Sequence, residues 1–139
     1  MSAAKIILKA KRAFGPEVEG EALVSRDPIH FVMDIAPETG KVIGVKHSLF
    51  GENIAGKILV ISSAKGGVQS AMGIAELAKN NSSPKALIYN KTNPIMVQGA
   101  VMTNIPIMDD FDKNPVGVIR SGDWIKVKPA KHVIEVERE

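Results

Sequence analysis

The stretch that most constrains this chain runs Ile58-Leu59-Val60-Ile61-Ser62-Ser63-Ala64-Lys65-Gly66-Gly67-Val68-Gln69-Ser70. A short apolar run is followed by two serines, a lysine, a Gly-Gly pair and a helical pattern. The segment from Lys57 to Ser62 reads as a buried strand and the glycines as a tight turn. From Val68 to Lys79 the apolar residues Val68, Ala71, Met72, Ala75 and Ala78 recur at three- and four-residue intervals. Ile74 and Leu77 widen that stripe, which predicts a helix buried on more than one side. Asn80-Asn81-Ser82-Ser83-Pro84 ends it, and Ala86-Leu87-Ile88-Tyr89 supplies a second apolar strand. The result is a β-α-β unit with parallel strands. Its turn is the expected small-molecule site. A helix N-terminus presents unpaired N–H groups to anions, Lys65 adds a positive charge, and Gly66 and Gly67 let the backbone approach a ligand.

The same grammar recurs once. Asn90-Lys91-Thr92-Asn93-Pro94 is a polar turn leading into an apolar helical stretch, Ile95 to Met102, and Ile105-Pro106-Ile107-Met108 reads as a further strand. Loops after the carboxyl ends of neighbouring parallel strands face one crevice, so Thr92 and Asn93 are expected to share a pocket with Lys65 and Ser70. The plainer reading makes Thr92 or Asn93 a helix cap with Pro94 at the first helical position, and both readings can hold together. For the Gly-Gly turn the plainer reading has Ser70 solvating the first N–H groups of its helix. Upstream, residues 5–12, 18–24 and 29–35 read as strands, 36–40 as a turn, 41–44 as another extended segment and 47–53 as a loop. Downstream, Asp109-Asp110-Phe111-Asp112 with Asn114-Pro115 reads as an acidic loop. Residues 124–128 and 133–137 form a terminal hairpin, with Trp124 in the core or at an interface. The expected fold is α/β: one domain over residues 1–139, with barrel-like strands around a small central sheet and a β-α-β core.

Composition narrows the function classes. Lys+Arg 18 against Asp+Glu 15 gives a net charge of only +3, and aromatic residues make up 4%. Neither favours nucleic-acid binding, and no motif supports it. The chain has no cysteine, which excludes disulfides and metal or iron–sulfur sites built on its own thiolates. His30, His47 and His132 show no metal-ligand spacing. No apolar run approaches the roughly 20 residues of a membrane span, and lysines interrupt the N-terminal apolar residues, unlike a signal peptide. A cytoplasmic location without membrane contact is the expectation. His47, in a glycine-flanked loop, is a candidate acid/base or substrate contact, beside the plainer reading of a solvated or structural histidine. The Asp109–Asp112 cluster reads as a solvated turn before it reads as a cation site. The turn itself is neither a P-loop nor a dinucleotide fingerprint, because the required glycine and lysine spacings are absent.

Three segments in order carry a family resemblance: Gly20-Glu21-Ala22-Leu23-Val24-Ser25-Arg26-Asp27-Pro28-Ile29, Asp34-Ile35-Ala36-Pro37-Glu38-Thr39-Gly40 and His47-Ser48-Leu49-Phe50-Gly51-Glu52. Gly56-Lys57-Ile58-Leu59-Val60, the glycine turn and Thr92-Asn93-Pro94 follow. From about Gly20 to Val127 this resembles the aconitase X swivelling domain, the small subunit of aconitase-X-type dehydratases. The resemblance implies a swivelling β/β/α fold and a heterodimer with a large catalytic subunit that carries an iron–sulfur cluster, with no cofactor on this chain. It implies dehydration of a small carboxylate- or phosphate-bearing hydroxy acid, 5-phosphomevalonate or cis-3-hydroxy-L-proline in relatives. Relatives commonly read Gly-Arg-Gly-Ser-Ser at the turn, with the serine as catalytic base. Here the serine positions hold Gly67 and Val68, so Ser70 is the nearest substitute base. Lys65 replaces the arginine as a charge without its fork. A non-catalytic module binding a small anion at the same turn is the alternative.

Overall fold

The computed structural model describes residues 4–138. The chain runs β1 (Ala4–Phe14), β2 (Val18–Ser25), β3 (Ile58–Ser63), α1 (Val68–Lys79), β4 (Ala86–Lys91), α2 (Pro94–Met102), β5 (Ile107–Phe111), α3 (Pro115–Val118), β6 (Trp124–Lys128), a 3-10 turn over Pro129–Lys131, and β7 (Val133–Arg138). The strands close into a barrel in the order β1-β5-β4-β3-β2-β6-β7. One half is parallel: β2, β3, β4 and β5 pair in sequence, with Val60 opposite both Val24 and Ile88. The other half is antiparallel, with β6 and β7 forming the expected hairpin and β1 closing against both β7 and β5.

Side-chain alternation divides the core in two. Ile58, Val60, Ala86 and Ile88 fill the barrel with Leu8, Ala10, Met108, Ile125, Val127, Ile134 and Val136. Leu59, Ile61, Leu87 and Tyr89 point the other way, under α1 and α2, where Ile74, Leu77, Met96 and Ala100 meet them. β3 and β4 are therefore buried on both faces, which is why they read as unbroken apolar runs. Both helices end alike. Asn81 and Asn104 take left-handed conformations (φ 56° and 59°), and Ser82 N donates to Leu77 O at 2.8 Å as Ile105 N does to Ala100 O at 2.9 Å. These are Schellman closures, with asparagine in glycine's usual place.

Four expectations need correction. Residues 29–35 and 41–44 are not strands; between β2 and β3 the chain makes turns, with only isolated bridges such as Ile35 to Val42. Their strand-like alternation arises because Ile29, Phe31, Ile35 and Val42 pack as a folded loop on the helix-side core. Phe31 lies so close to α1 that a Cβ on Gly73 would stand 2.7 Å from its carbonyl, so this contact requires glycine. Asp109 and Asp110 belong to β5 and not to an acidic loop. Pro115–Val118 forms a short helix, with Asn114 accepting from Val116 N at 3.1 Å. Of the two places expected for Trp124, the core is excluded: it is half-exposed, its indole N–H donating to Glu19 at 2.9 Å.

Two stability predictions follow from the barrel. The Tyr89 hydroxyl is buried with no hydrogen-bond partner among the described residues, and an unpaired buried hydroxyl costs about 1–3 kcal/mol. Tyr89→Phe is expected to leave stability unchanged or raise it, as urea unfolding would show; a loss above about 1 kcal/mol contradicts this. On β7, Glu135 accepts from Lys128 at 2.7 Å and lies 3.0 Å from Lys5. The two ammonium groups, Lys128 first, lower its carboxyl from 4.5 to about 2. Because the folded value is depressed, the stabilisation is present above about 4.5 and is lost as pH falls toward about 2. The unfolding midpoint should drop across that window, and Glu135→Gln should flatten the slope.

Candidate functional site

The site lies where β2, β3 and β4 end. After Ser63, Ala64 N donates to Lys91 O at 3.1 Å, and the chain turns through Lys65, Gly66 and Gly67 into α1. Gly66 sits at φ +81°, and a Cβ there would meet His30 Cδ2 at 2.6 Å and Nε2 at 2.8 Å. Only glycine fits against that ring. No side chain caps α1 at Gly67, and Val68 and Gln69 in its first turn are exposed. The positive end of the helix dipole is therefore open beside Lys65. Lys65 is exposed and, among the described residues, makes no ion pair.

Ser70 takes a different position from either sequence reading. It is fully buried, and its hydroxyl accepts from Phe31 N at 3.0 Å. It neither caps its own helix nor faces solvent in this conformation; it pins the 29–35 loop to α1. His30, which the sequence reading passed over, does similar work from the other side. Its Nδ1 accepts from Val32 N and Met33 N at 3.2 and 3.1 Å, which leaves the ring proton on Nε2, facing Gly66. His30 N in turn donates to Asp34 Oδ2 at 2.8 Å.

A cleft of about 490 Å³ opens between Asp27, Asp34, the Gly44–His47 loop and Lys65. His47 forms one wall, with both ring nitrogens engaged. Nδ1 accepts from Leu49 N at 3.0 Å, so Nε2 carries the proton and donates to Pro28 O at 3.1 Å. Asp27 accepts from Ser48 N at 2.9 Å, and that bond, with a smaller contribution from Lys65, holds its carboxyl below the usual range. The cleft is thus lined by two carboxylates and by Lys46 and Lys65, suiting a ligand that has both an anionic end and a hydroxyl.

The second turn meets the first. Asn93 caps α2 by accepting from Met96 N at 2.9 Å, and its amide reaches Gly66 O at 3.4 Å. The capping and site-sharing roles expected of this turn coexist in Asn93. Thr92 N donates to Asp109 Oδ2 at 3.0 Å, while the Thr92 hydroxyl is buried without a partner among the described residues. These residues border a second cavity of about 380 Å³ with Arg12, Phe14, Val97 and Asp109. Asp109 is neither solvated nor a cation ligand; it is buried and held by the Arg12 fork at 2.7 and 2.9 Å. Among the described residues no three His, Asp or Glu gather as a metal site.

The aconitase X swivel domain model matches residues 7–136. This chain belongs to that family. The "Phosphomevalonate dehydratase small subunit" of Methanosarcina mazei is 39% identical over 121 residues, 87% of this chain and 84% of that protein. The protein of the same name from Thermococcus sibiricus is 38% identical over 94% of this chain and 98% of its own length. Among solved structures, Thermococcus kodakaraensis aconitase X in its holo-form superposes with a TM-score of 0.87 at 35% identity, covering 94% of this chain and 98% of that one. The swivel fold expected from the resemblance is thereby shown. Within it, this chain's Gly67 leaves room where the resemblance leads one to expect serine: a Cβ there would have Ile95 Cδ1 at 3.7 Å as its nearest neighbour.

Gly66 is the most constrained position in the site. Gly66→Ala adds a left-handed penalty of about 1–2 kcal/mol to the collision with His30. A loss of about 2 kcal/mol or more is expected in urea unfolding, and a neutral result would refute the packing described.

Proposed function

We propose that this chain is the small subunit of a phosphomevalonate dehydratase, active in the cytoplasm as a heterodimer with a large subunit that holds an iron–sulfur cluster. The observation that carries this reading is the exposed Lys65, without an ion pair among the described residues, beside the uncapped N-terminus of α1 at the mouth of the cleft. The names and coverage of the relatives supply the reaction class. A cluster held on thiolates finds no ligand here, because the chain has no cysteine. Its ligands fit the large subunit.

Dehydration of a 3-hydroxy acid removes a proton beside the carboxylate and hydroxide from the next carbon, leaving a double bond and water. In this reading the chain binds and orients, and Ser70 is its candidate base. The Lys65 ammonium and the first N–H groups of α1 take anionic oxygens of the substrate, an arrangement that suits carboxylate or phosphate. Asp34 and Asp27 stand across the cleft as acceptors for a hydroxyl. Closure against the large subunit would exclude water and strengthen each of these contacts.

A second reading, in which this subunit binds but transfers no proton, is favoured by one specific arrangement. Gly67 and Val68 have no transferable proton, and the Ser70 hydroxyl is closed off under Phe31. In that case the base belongs to the large subunit.

Co-expression with the large subunit tests both readings. A stable complex that contains iron and dehydrates phosphomevalonate is expected, with neither subunit active alone; a chain that binds no large subunit sinks the proposal. In the complex, Lys65→Met should raise KM by about tenfold or more, equivalent to about 1.4 kcal/mol. Ser70→Ala separates the readings. With the base elsewhere, kcat should hold within a few-fold while stability falls by about 1–3 kcal/mol, because Phe31 N loses its partner. A drop in kcat of about a thousandfold or more would restore Ser70 as base.

A further inference from the structure

The Arg12–Asp109 pair lies away from the cleft, yet it connects to the site through an unbroken series of bonds. β4 and β5 pair only at Leu87 with Ile107 and Ile88 with Met108. Beyond Ile88 the gap to the end of β4 is spanned by the Asp109 side chain, whose Oδ2 accepts from Thr92 N at 3.0 Å. Arg12 on β1 grips the same carboxylate with Nε at 2.7 Å and Nη2 at 2.9 Å, fixing both oxygens at once. The next residue, Asn93, places its amide 3.4 Å from Gly66 O.

Two further observations show that the Thr92 turn is held where it would not settle unaided. The Thr92 hydroxyl is buried without a partner among the described residues, which carries a cost. Asp110, within β5 and next to Asp109, is left-handed at φ 60°, a conformation that disfavours any residue with a Cβ. Unfavourable local geometry of this kind persists only where the surroundings impose it.

Resting on the function proposed above, we propose that Asp109, clamped by Arg12, is the positioning residue that sets the Thr92–Asn93 turn and, through Asn93, the Lys65–Gly67 turn that receives the substrate. The fork also has a stability role, since Asp109 is 1% exposed against 52% for Arg12 and its carboxylate would otherwise be buried without a charged partner. The β1–β5 ladder already holds these strands at Ala10, Ala13 and Phe14. What the fork adds beyond charge pairing is geometric: a bidentate grip allows the carboxylate one orientation, the one aimed at Thr92 N.

Arg12→Lys keeps the charge and removes the fork. Asn93→Ser keeps a capping hydroxyl for Met96 N and removes the reach to Gly66 O. In the complex with the large subunit, each should lower kcat by about tenfold, and the double variant should lose little more than either single one, because both cut the same series of contacts. Multiplication of the two losses to about a hundredfold would overturn the proposal, as would Arg12→Lys lowering the unfolding midpoint with unchanged kcat. A readout independent of activity uses the full chain alone. Arg12→Lys should shift the backbone amide resonances of Thr92, Asn93 and Gly66; shifts confined to residues bordering positions 12 and 109 would likewise overturn it. If the wild-type complex shows no dehydratase activity, the function proposed above has failed, while the amide measurement still decides this inference.

Discussion

Burial of β3 and β4 on both faces is the constraint on which the rest of this molecule depends. Ile58 and Val60 look into the barrel while Leu59 and Ile61 look toward the helices, and β4 repeats the pattern with Ala86, Ile88, Leu87 and Tyr89. A one-residue slip of either strand would exchange the two cores, so the register has no neighbouring alternative. Fully burying each such aliphatic side chain contributes about 1.5–3 kcal/mol, so the strand ends are fixed with much of the molecule's stability. The turns that follow them inherit that precision. α1 and α2 cover one face, the antiparallel strands cover the other, and both coverings leave the Lys65 and Asn93 turns at one rim.

At that rim polar bonds replace apolar burial. The Asn93 amide on Gly66 O, the Ser70 hydroxyl on Phe31 N, the His30 ring against Gly66 and the Asp34 carboxylate on His30 N knit three separate pieces of chain. Almost every local polar group is consumed in this bracing. Among the groups left open to a ligand are the Lys65 ammonium and the exposed first turn of α1, which suit an anion. His47 illustrates the division, since both of its nitrogens are bonded to the backbone and what it lends the cleft is a wall.

The sequence made the β-α-β centre legible because its signals are local and periodic. α1 follows its three- and four-residue apolar spacing from Val68 to Lys79. The resemblance carried by Gly20–Ile29, Asp34–Gly40 and His47–Glu52 made the family and fold legible. In the segment over residues 29–54 the turn at 36–40 and the loop at 47–53 were legible, but 29–35 was not, because Ile29, Phe31 and Ile35 alternate as a strand does while serving a folded loop. Asp109 misled for another reason. A run of acidic residues looks solvated until its partner is known, and Arg12 lies 97 residues away. His30 gave no sign of its role, which depends on a glycine brought against it by the fold. The displacement of Ser70 from the expected role has the same origin, since one buried bond to Phe31 decides where its hydroxyl points.

The bracing around Gly66 also bears on how such a rim can open and shut. A flap that moves by itself needs a segment with few bonds and a pair of free pivots. The Lys65–Gly67 turn has neither: Asn93 ties its carbonyl, the His30 imidazole fills the space beneath Gly66, and α1 continues from it without a break. The rim therefore behaves as one casting with the barrel. In the function proposed above, the barrel would rock bodily against the large subunit to admit a substrate, carrying Lys65 toward or away from the ligand as a fixed tooth.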